Sequence, residues 1–223
     1  MTDIHSSIKQ ARIDTPLGPT IFGMQLPEEV FQTCVKLADD IWERKDHISW
    51  NDELVGHMKY QYYVPHSQLK EYELFDFFLQ CFYWYLTSAS KDFEQKKEHL
   101  MIDLEAFWIN YQEEGEYNPL HNHGQATMSG VIHLKEPEYE HSKDRKCEKD
   151  GILSIVNHSP IMFGLDKYVM DLKPTPRGMY IWPASLLHSV NPFRGKGLRV
   201  SMAFNVVHYF KNNVGNRHNA KEY

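Results

Sequence analysis

The sequence predicts a mainly β protein with helices on its N-terminal side. Two observations predict it. Apolar residues recur at helical spacing through much of the first hundred residues. From residue 100 the pattern becomes short β-branched or aromatic runs separated by Gly, Pro and Asn. Helices followed by serial strands point to helices packed on an all-β core.

Residues 16–26 read as an extended segment carrying turn residues. Pro27 followed by Glu28 and Glu29 is a helix start, because proline suits the first turn and acids suit the positive end of the helix dipole. Val30, Cys34, Leu37 and Ile41 continue the stripe, and the helix is predicted to end near Arg44–Asp46. Residues 47–66 are irregular apart from a short strand candidate, Tyr60–Val64, before Pro65. A second helical region is predicted from Leu69 to Lys97, with Phe75, Phe78, Leu79, Phe82 and Leu86 on its apolar face. Strands are predicted at Leu104–Tyr111, Thr127–Leu134, Ile152–Val156, Met179–Trp182, Leu186–Val190 and Leu198–Val207. The densely charged Lys135–Gly151 reads as a solvated loop or lid. There is no internal repeat. The reading is one domain over 1–223: a helical support (1–100), a β core (101–210) and a polar tail (211–223).

At 223 residues the chain suits one domain with a substantial core. A net charge of -6 gives no reason to expect nucleic acid or an anionic membrane as partner. Cys34, Cys81 and Cys147 are too few and scattered for a disulfide framework, which suits a reduced, cytoplasmic setting. The N-terminus carries no signal-peptide pattern, and no apolar run is long enough to span a bilayer.

The chemistry lies in a spaced set near the C-terminal end: His121-Asn122-His123, His188, and Arg199-Val200-Ser201. Two histidines one residue apart on a strand point to the same side of it. A third from a distant strand completes one face of a metal ion, and three protein ligands leave open positions for an organic acid and dioxygen. Arg199 has a planar fork matched to a carboxylate, and Ser201 on the same strand face adds a hydroxyl. The flanks of Arg199 are apolar, and a buried arginine requires a partner. The set points to a mononuclear iron oxygenase with an organic-acid co-substrate. His-x-His alone is weak in a chain with 13 histidines; its conjunction with His188 and Arg-x-Ser carries the reading. His57, His66, His99, His158 and His208 read as structural or solvated, and His133, His141 and Cys147 lack the spacing of a second metal site.

These residues resemble the 2-oxoglutarate/Fe(II)-dependent oxygenase superfamily, most closely its 2OG-Fe(II) oxygenase family of bacteria and phages. The resemblance covers about residues 104–207. It runs through Trp108-Ile109-Asn110, Gly115, Asn118 to His123, Ser129-Gly130-Val131, Trp182-Pro183, Leu187-His188, Arg199-Val200-Ser201 and Phe204-Asn205. It implies a double-stranded β-helix, a jelly-roll and cupin-like core. It implies His121 and His188 as iron ligands, with Arg199 and Ser201 on the C5 carboxylate of 2-oxoglutarate. Asn110, eleven residues before His121, occupies a position where related enzymes touch the co-substrate; a structural hydrogen bond is the other reading. Fe(II), 2-oxoglutarate and O2 are the expected cofactor and co-substrates. No catalytic side chain beyond the metal ligands is implied. Family members often form homo-oligomers, but nothing in the sequence fixes a stoichiometry.

One departure is plain. The superfamily pattern is His-x-Asp or His-x-Glu, and His123 stands in the carboxylate position. His123 ligates, or stands aside, or yields to a carboxylate such as Glu136, Asp166 or Asp171; ligation by His123 is the reading carried forward. Two rivals follow: a three-histidine dioxygenase that does not use 2-oxoglutarate, and a non-catalytic jelly-roll module that binds a metal or small acid. The primary substrate is not legible, although Trp108, Trp182, Met128 and Tyr180 are candidates to line its pocket.

Overall fold

A proline that cannot donate a hydrogen bond, then two acids, opens the first helix as the sequence predicts: α1 spans Glu28–Glu43 behind Pro27. Its stripe of Val30, Cys34, Leu37, Ala38 and Ile41 is buried. The computed structural model describes residues 12–14, 18–44, 47–140, 149–157 and 168–211. The tail from 212, and His141, Cys147, His158 and Asp166, lie outside the described residues.

The strands in chain order are β1 (Arg12–Asp14), β2 (Ile21–Gln25), β3 (Ile48–Ser49), β4 (Tyr60–Tyr63), β5 (Leu100–Gln112), β6 (Asn118–His121), β7 (Met128–Lys135), β8 (Glu138–Tyr139), β9 (Leu153–Val156), β10 (Val169–Leu172), β11 (Gly178–Pro183), β12 (Leu187–Val190), β13 (Gly195–Lys196) and β14 (Arg199–Phe210). Eight form one antiparallel sheet in the order β1-β2-β11-β7-β14-β5-β4-β3; four form a second in the order β10-β9-β12-β6. The two sheets face each other as a double-stranded β-helix.

Strand periodicity explains how one sheet serves two cores. On β14, Val200, Met202, Phe204 and Val206 join the helix-side core with Leu37, Phe78 and Phe82. Between them, Arg199, Ser201, Ala203 and Asn205 point the other way. On β7, Ile132 and Leu134 likewise face the helices, whereas Val131 joins Leu153, Ile155 and Trp182 between the sheets. Burial on both faces makes β7 an almost continuous buried run rather than an alternating one. Gly130 is required there: a Cβ would collide with the Phe204 ring and the Tyr180 carbonyl.

The predicted helix from Leu69 to Lys97 is three helices: α2 (His66–Glu71), α3 (Phe75–Ala89) and α4 (Lys91–Gln95). Glu73 breaks the first junction with a left-handed φ of 56°. Ser90 breaks the second, in extended conformation with its side chain accepting from the Asp92 N–H. The charged loop also differs from expectation. Its Glu138–Tyr139 portion is a strand paired with Gly195–Lys196; residues 141–148 lie outside the described residues. Among the described residues, no helix is long and apolar enough to cross a membrane.

Candidate metal centre

Antiparallel pairing of β6 with β12 sets His188 directly opposite His121. Their ring centroids lie 4.3 Å apart, and His123 stands 5.0 Å from His121 and 5.1 Å from His188. One nitrogen from each ring falls within 4.8 Å of the others. The shared-strand expectation for His121 and His123 is corrected: β6 ends at His121, and His123 lies in the turn that follows. Its backbone is held beside the other two rings by the main-chain N–H of His123, which donates to the Ala184 carbonyl at 3.0 Å.

Burial favours neutral imidazole, the form that ligates metals. It holds His188 down to about 3, assisted by the neighbouring rings of His121 and His123. His123 is held down to about 4 by burial and His121; His121 is also lowered, chiefly by burial. Two rings have defined tautomers. His121 Nδ1 lies 2.7 Å from the Pro119 carbonyl and His188 Nδ1 lies 3.0 Å from the Leu186 carbonyl. A carbonyl only accepts, so each Nδ1 carries the hydrogen and Nε2 keeps its lone pair. His123 Nδ1 instead lies 3.2 Å from Asn205 Nδ2, and Ser129 Oγ donates to Asn205 Oδ1 at 2.8 Å.

Among the described residues no carboxylate joins the three rings. Glu136 is exposed, and Asp171 bonds Ser154 and Lys149.

The same pocket is lined by Asn110, Arg199 and Ser201. Arg199 is 2% exposed. Nη1 donates to Gln112 Oε1 at 3.1 Å and Nη2 to His133 Nδ1 at 3.3 Å, while Nε has no partner. Burial lowers its pKa to about 10, which leaves it a cation at neutral pH. Among the described residues, the partners of this buried arginine are neutral groups and no carboxylate pairs with it. Burial, then the Arg199 charge, holds His133 well below the usual histidine range. With Nδ1 accepting, His133 carries its hydrogen on Nε2, which is buried and unpartnered. The Tyr139 hydroxyl, also buried and unpartnered, and Arg199 flank Gly151: a Cβ there would stand 2.9 Å from that hydroxyl and 3.3 Å from Arg199 Cδ. A buried cation that lines the pocket with an unpartnered Nε and no described anion beside it has the chemistry to accept one.

Residues 106–205 match the family model described as "Putative 2OG-Fe(II) oxygenase". Over those residues the chain is similar to that family. Three solved structures share the double-stranded β-helix fold of this chain. An oxidoreductase of the 2OG-Fe(II) oxygenase family from Burkholderia pseudomallei is 13% identical over 83% of this chain and 84% of its own, with a TM-score of 0.51. A prolyl hydroxylase from Trichoplax adhaerens, in complex with a hypoxia inducible factor peptide, is 10% identical over 94% and 88%, with a TM-score of 0.54. AviO1 from Streptomyces viridochromogenes is 9% identical over 93% and 96%, with a TM-score of 0.56. At such identities the likeness concerns the fold. No curated protein sequence matches the chain.

Asn110 makes the structural hydrogen bonds that were one of its two expected readings. It lines the pocket, while its Oδ1 accepts from Gln61 Nε2 at 2.8 Å and Trp108 Nε1 at 3.2 Å. Trp108 and Trp182 line the pocket as expected, but Met128 belongs to the helix-side core and Tyr180 packs on the apolar cluster between the sheets. Sequence reasoning assigned no role to Gln112, His133 or Tyr139. Gln112 stands opposite Arg199 in the β5–β14 register, which only the strand pairing reveals. His133 lay within reach, two residues beyond Val131 on the inward face of β7.

Proposed function

We propose that the protein is an Fe(II)- and 2-oxoglutarate-dependent oxygenase working as one domain over residues 1–223. His121, His123 and His188 would hold the iron through neutral imidazoles. Arg199 and Ser201 would hold the C5 carboxylate of 2-oxoglutarate, with Asn110 beside it. The observation that carries this reading is the buried, anion-less Arg199 in the pocket of three neutral histidines.

When bound, iron with 2-oxoglutarate and dioxygen supplies an oxidant that hydroxylates a substrate, with succinate and CO2 as co-products. The protein's own work is positioning. Gln112 and His133 hold the Arg199 fork, so an incoming carboxylate replaces no internal ion pair. Bonding such an anion satisfies a cation already removed from water, which favours a dicarboxylate over a neutral ligand. Trp182 and Trp108 are buried and line the pocket, where they would limit its water.

A second reading has its own observation. His123 in the carboxylate position suits a three-histidine dioxygenase that oxidises a chelating substrate without 2-oxoglutarate. The orphaned Arg199 opposes it. Oxygen uptake by the Fe(II)-loaded protein separates the two. Uptake that requires 2-oxoglutarate and yields equimolar succinate supports the proposal; uptake indifferent to 2-oxoglutarate refutes it.

A further inference from the structure

The three imidazoles are not equivalent. His121 and His188 each have Nδ1 against a backbone carbonyl, which favours the hydrogen on Nδ1 and a lone pair on Nε2 in both. His123 has no such constraint. Its Nδ1 faces the side-chain amide of Asn205, which offers either an N–H2 or an oxygen. The Ser129 hydroxyl behind it donates or accepts equally well, so it supports either amide orientation.

The orientation decides the chemistry. With Nδ2 turned to His123, the amide donates to Nδ1, the ring hydrogen sits on Nε2, and the ring cannot ligate. With Oδ1 turned to His123, Nδ1 donates, Nε2 becomes a lone pair, and Ser129 Oγ accepts from Nδ2. The structure holds the first arrangement: Nδ2 on His123 and Ser129 Oγ on Oδ1. The outer partner of a metal-binding histidine ordinarily selects its tautomer.

We infer that Asn205, backed by Ser129, is a positioning residue that sets the tautomer of His123 and so determines whether the centre offers two or three protein ligands. This rests on the metal-centre reading above. His121 and His188 form a permanent pair, and His123 is recruited by an amide flip that metal binding selects. The Asn205–Ser129 pair thus performs, for a neutral third ligand, the orienting work that a carboxylate ligand would not need.

Two experiments test it. In the protein labelled with 15N-histidine, long-range 1H–15N spectra distinguish protonated from lone-pair ring nitrogens. His121 and His188 are expected as Nδ1–H with and without Zn(II). His123 is expected as Nε2–H in the metal-free protein and Nδ1–H with Zn(II). Nδ1–H at His123 in both states overturns the inference. Co(II) titration supplies the second test. Asn205→Leu, which offers no acceptor, is expected to weaken Co(II) binding about 10- to 100-fold, with no further loss when combined with His123→Ala. The nearly isosteric Asn205→Asp, acceptor-only and a control for folding, is expected to bind Co(II) at least as tightly as the parent. Unchanged Co(II) affinity in Asn205→Leu, or weakening in Asn205→Asp, contradicts it. If His121→Ala and His188→Ala retain Co(II), the metal centre itself is wrong; if they lose it while Asn205→Leu is silent, only this inference fails.

Discussion

His121 and His188 are direct cross-strand partners, and each anchors its Nδ1 on the carbonyl two residues before it, at 2.7 Å and 3.0 Å. Under the proposed function, the backbone would thus prepare both rings as ligands before any metal arrives. Replacing either with Ala should weaken Co(II) or Fe(II) binding by more than about 100-fold, beyond the range of an outer-shell change. Equilibrium dialysis checks this, with unchanged circular dichroism as the folding control.

Arg199→Met should spare metal affinity but weaken 2-oxoglutarate binding by roughly 100-fold, because two charge-assisted hydrogen bonds are worth about 3 kcal/mol together. The same change removes an unpaired buried cation and roughly preserves volume. The ligand-free variant should therefore melt no lower than the parent. Thermal shifts with and without 2-oxoglutarate read both effects.

His133→Phe keeps an aromatic ring of similar size but removes the acceptor for Arg199 Nη2. It should weaken 2-oxoglutarate binding about 10-fold, as expected for one lost hydrogen bond to a charged group, and leave metal binding unchanged. Isothermal titration calorimetry with each ligand separates the two.

Stability without metal should depend on pH with a definite sign. His133, His188 and His208 have folded-state pKa values below the ordinary 6.5, first because of burial. The unfolded chain therefore binds more protons below that value, so stability falls as pH drops through and below about 6.5. Each fully buried histidine contributes a slope approaching about 1.4 kcal/mol per pH unit. Urea midpoints between pH 7.5 and pH 5 check it; a midpoint that rises on acidification contradicts it.

Gly130→Ala should destabilise the fold by at least about 1–3 kcal/mol through overpacking against the Phe204 ring and the Tyr180 carbonyl, with metal affinity retained in the folded fraction. Chemical denaturation measures the cost.

Much of this was legible in residue order because it depends on local pattern. Pro27-Glu28-Glu29 marked the start of α1, and six strand runs fell where strands form. Spacing also singled out His121, His123, His188 and Arg199. What escaped depends on contacts across the sheets. Glu73 adopts a left-handed φ with no Gly or Pro to announce it, so α2 and α3 read as continuous. The partners of Arg199 come from β5 and β7, one of them 87 and the other 66 residues away in sequence. Asn205 meets His123 only because β14 lies beside β7. The short β6, β8, β10 and β13 carry too few residues to declare a period.

The most direct test of the central claim is anaerobic titration of the metal-free protein with Fe(II) and then 2-oxoglutarate, followed by visible absorption. A weak charge-transfer band is expected on adding 2-oxoglutarate, absent in His188→Ala and displaced to much higher 2-oxoglutarate concentration in Arg199→Met. Fe(II) binding with no band at any 2-oxoglutarate concentration would contradict it.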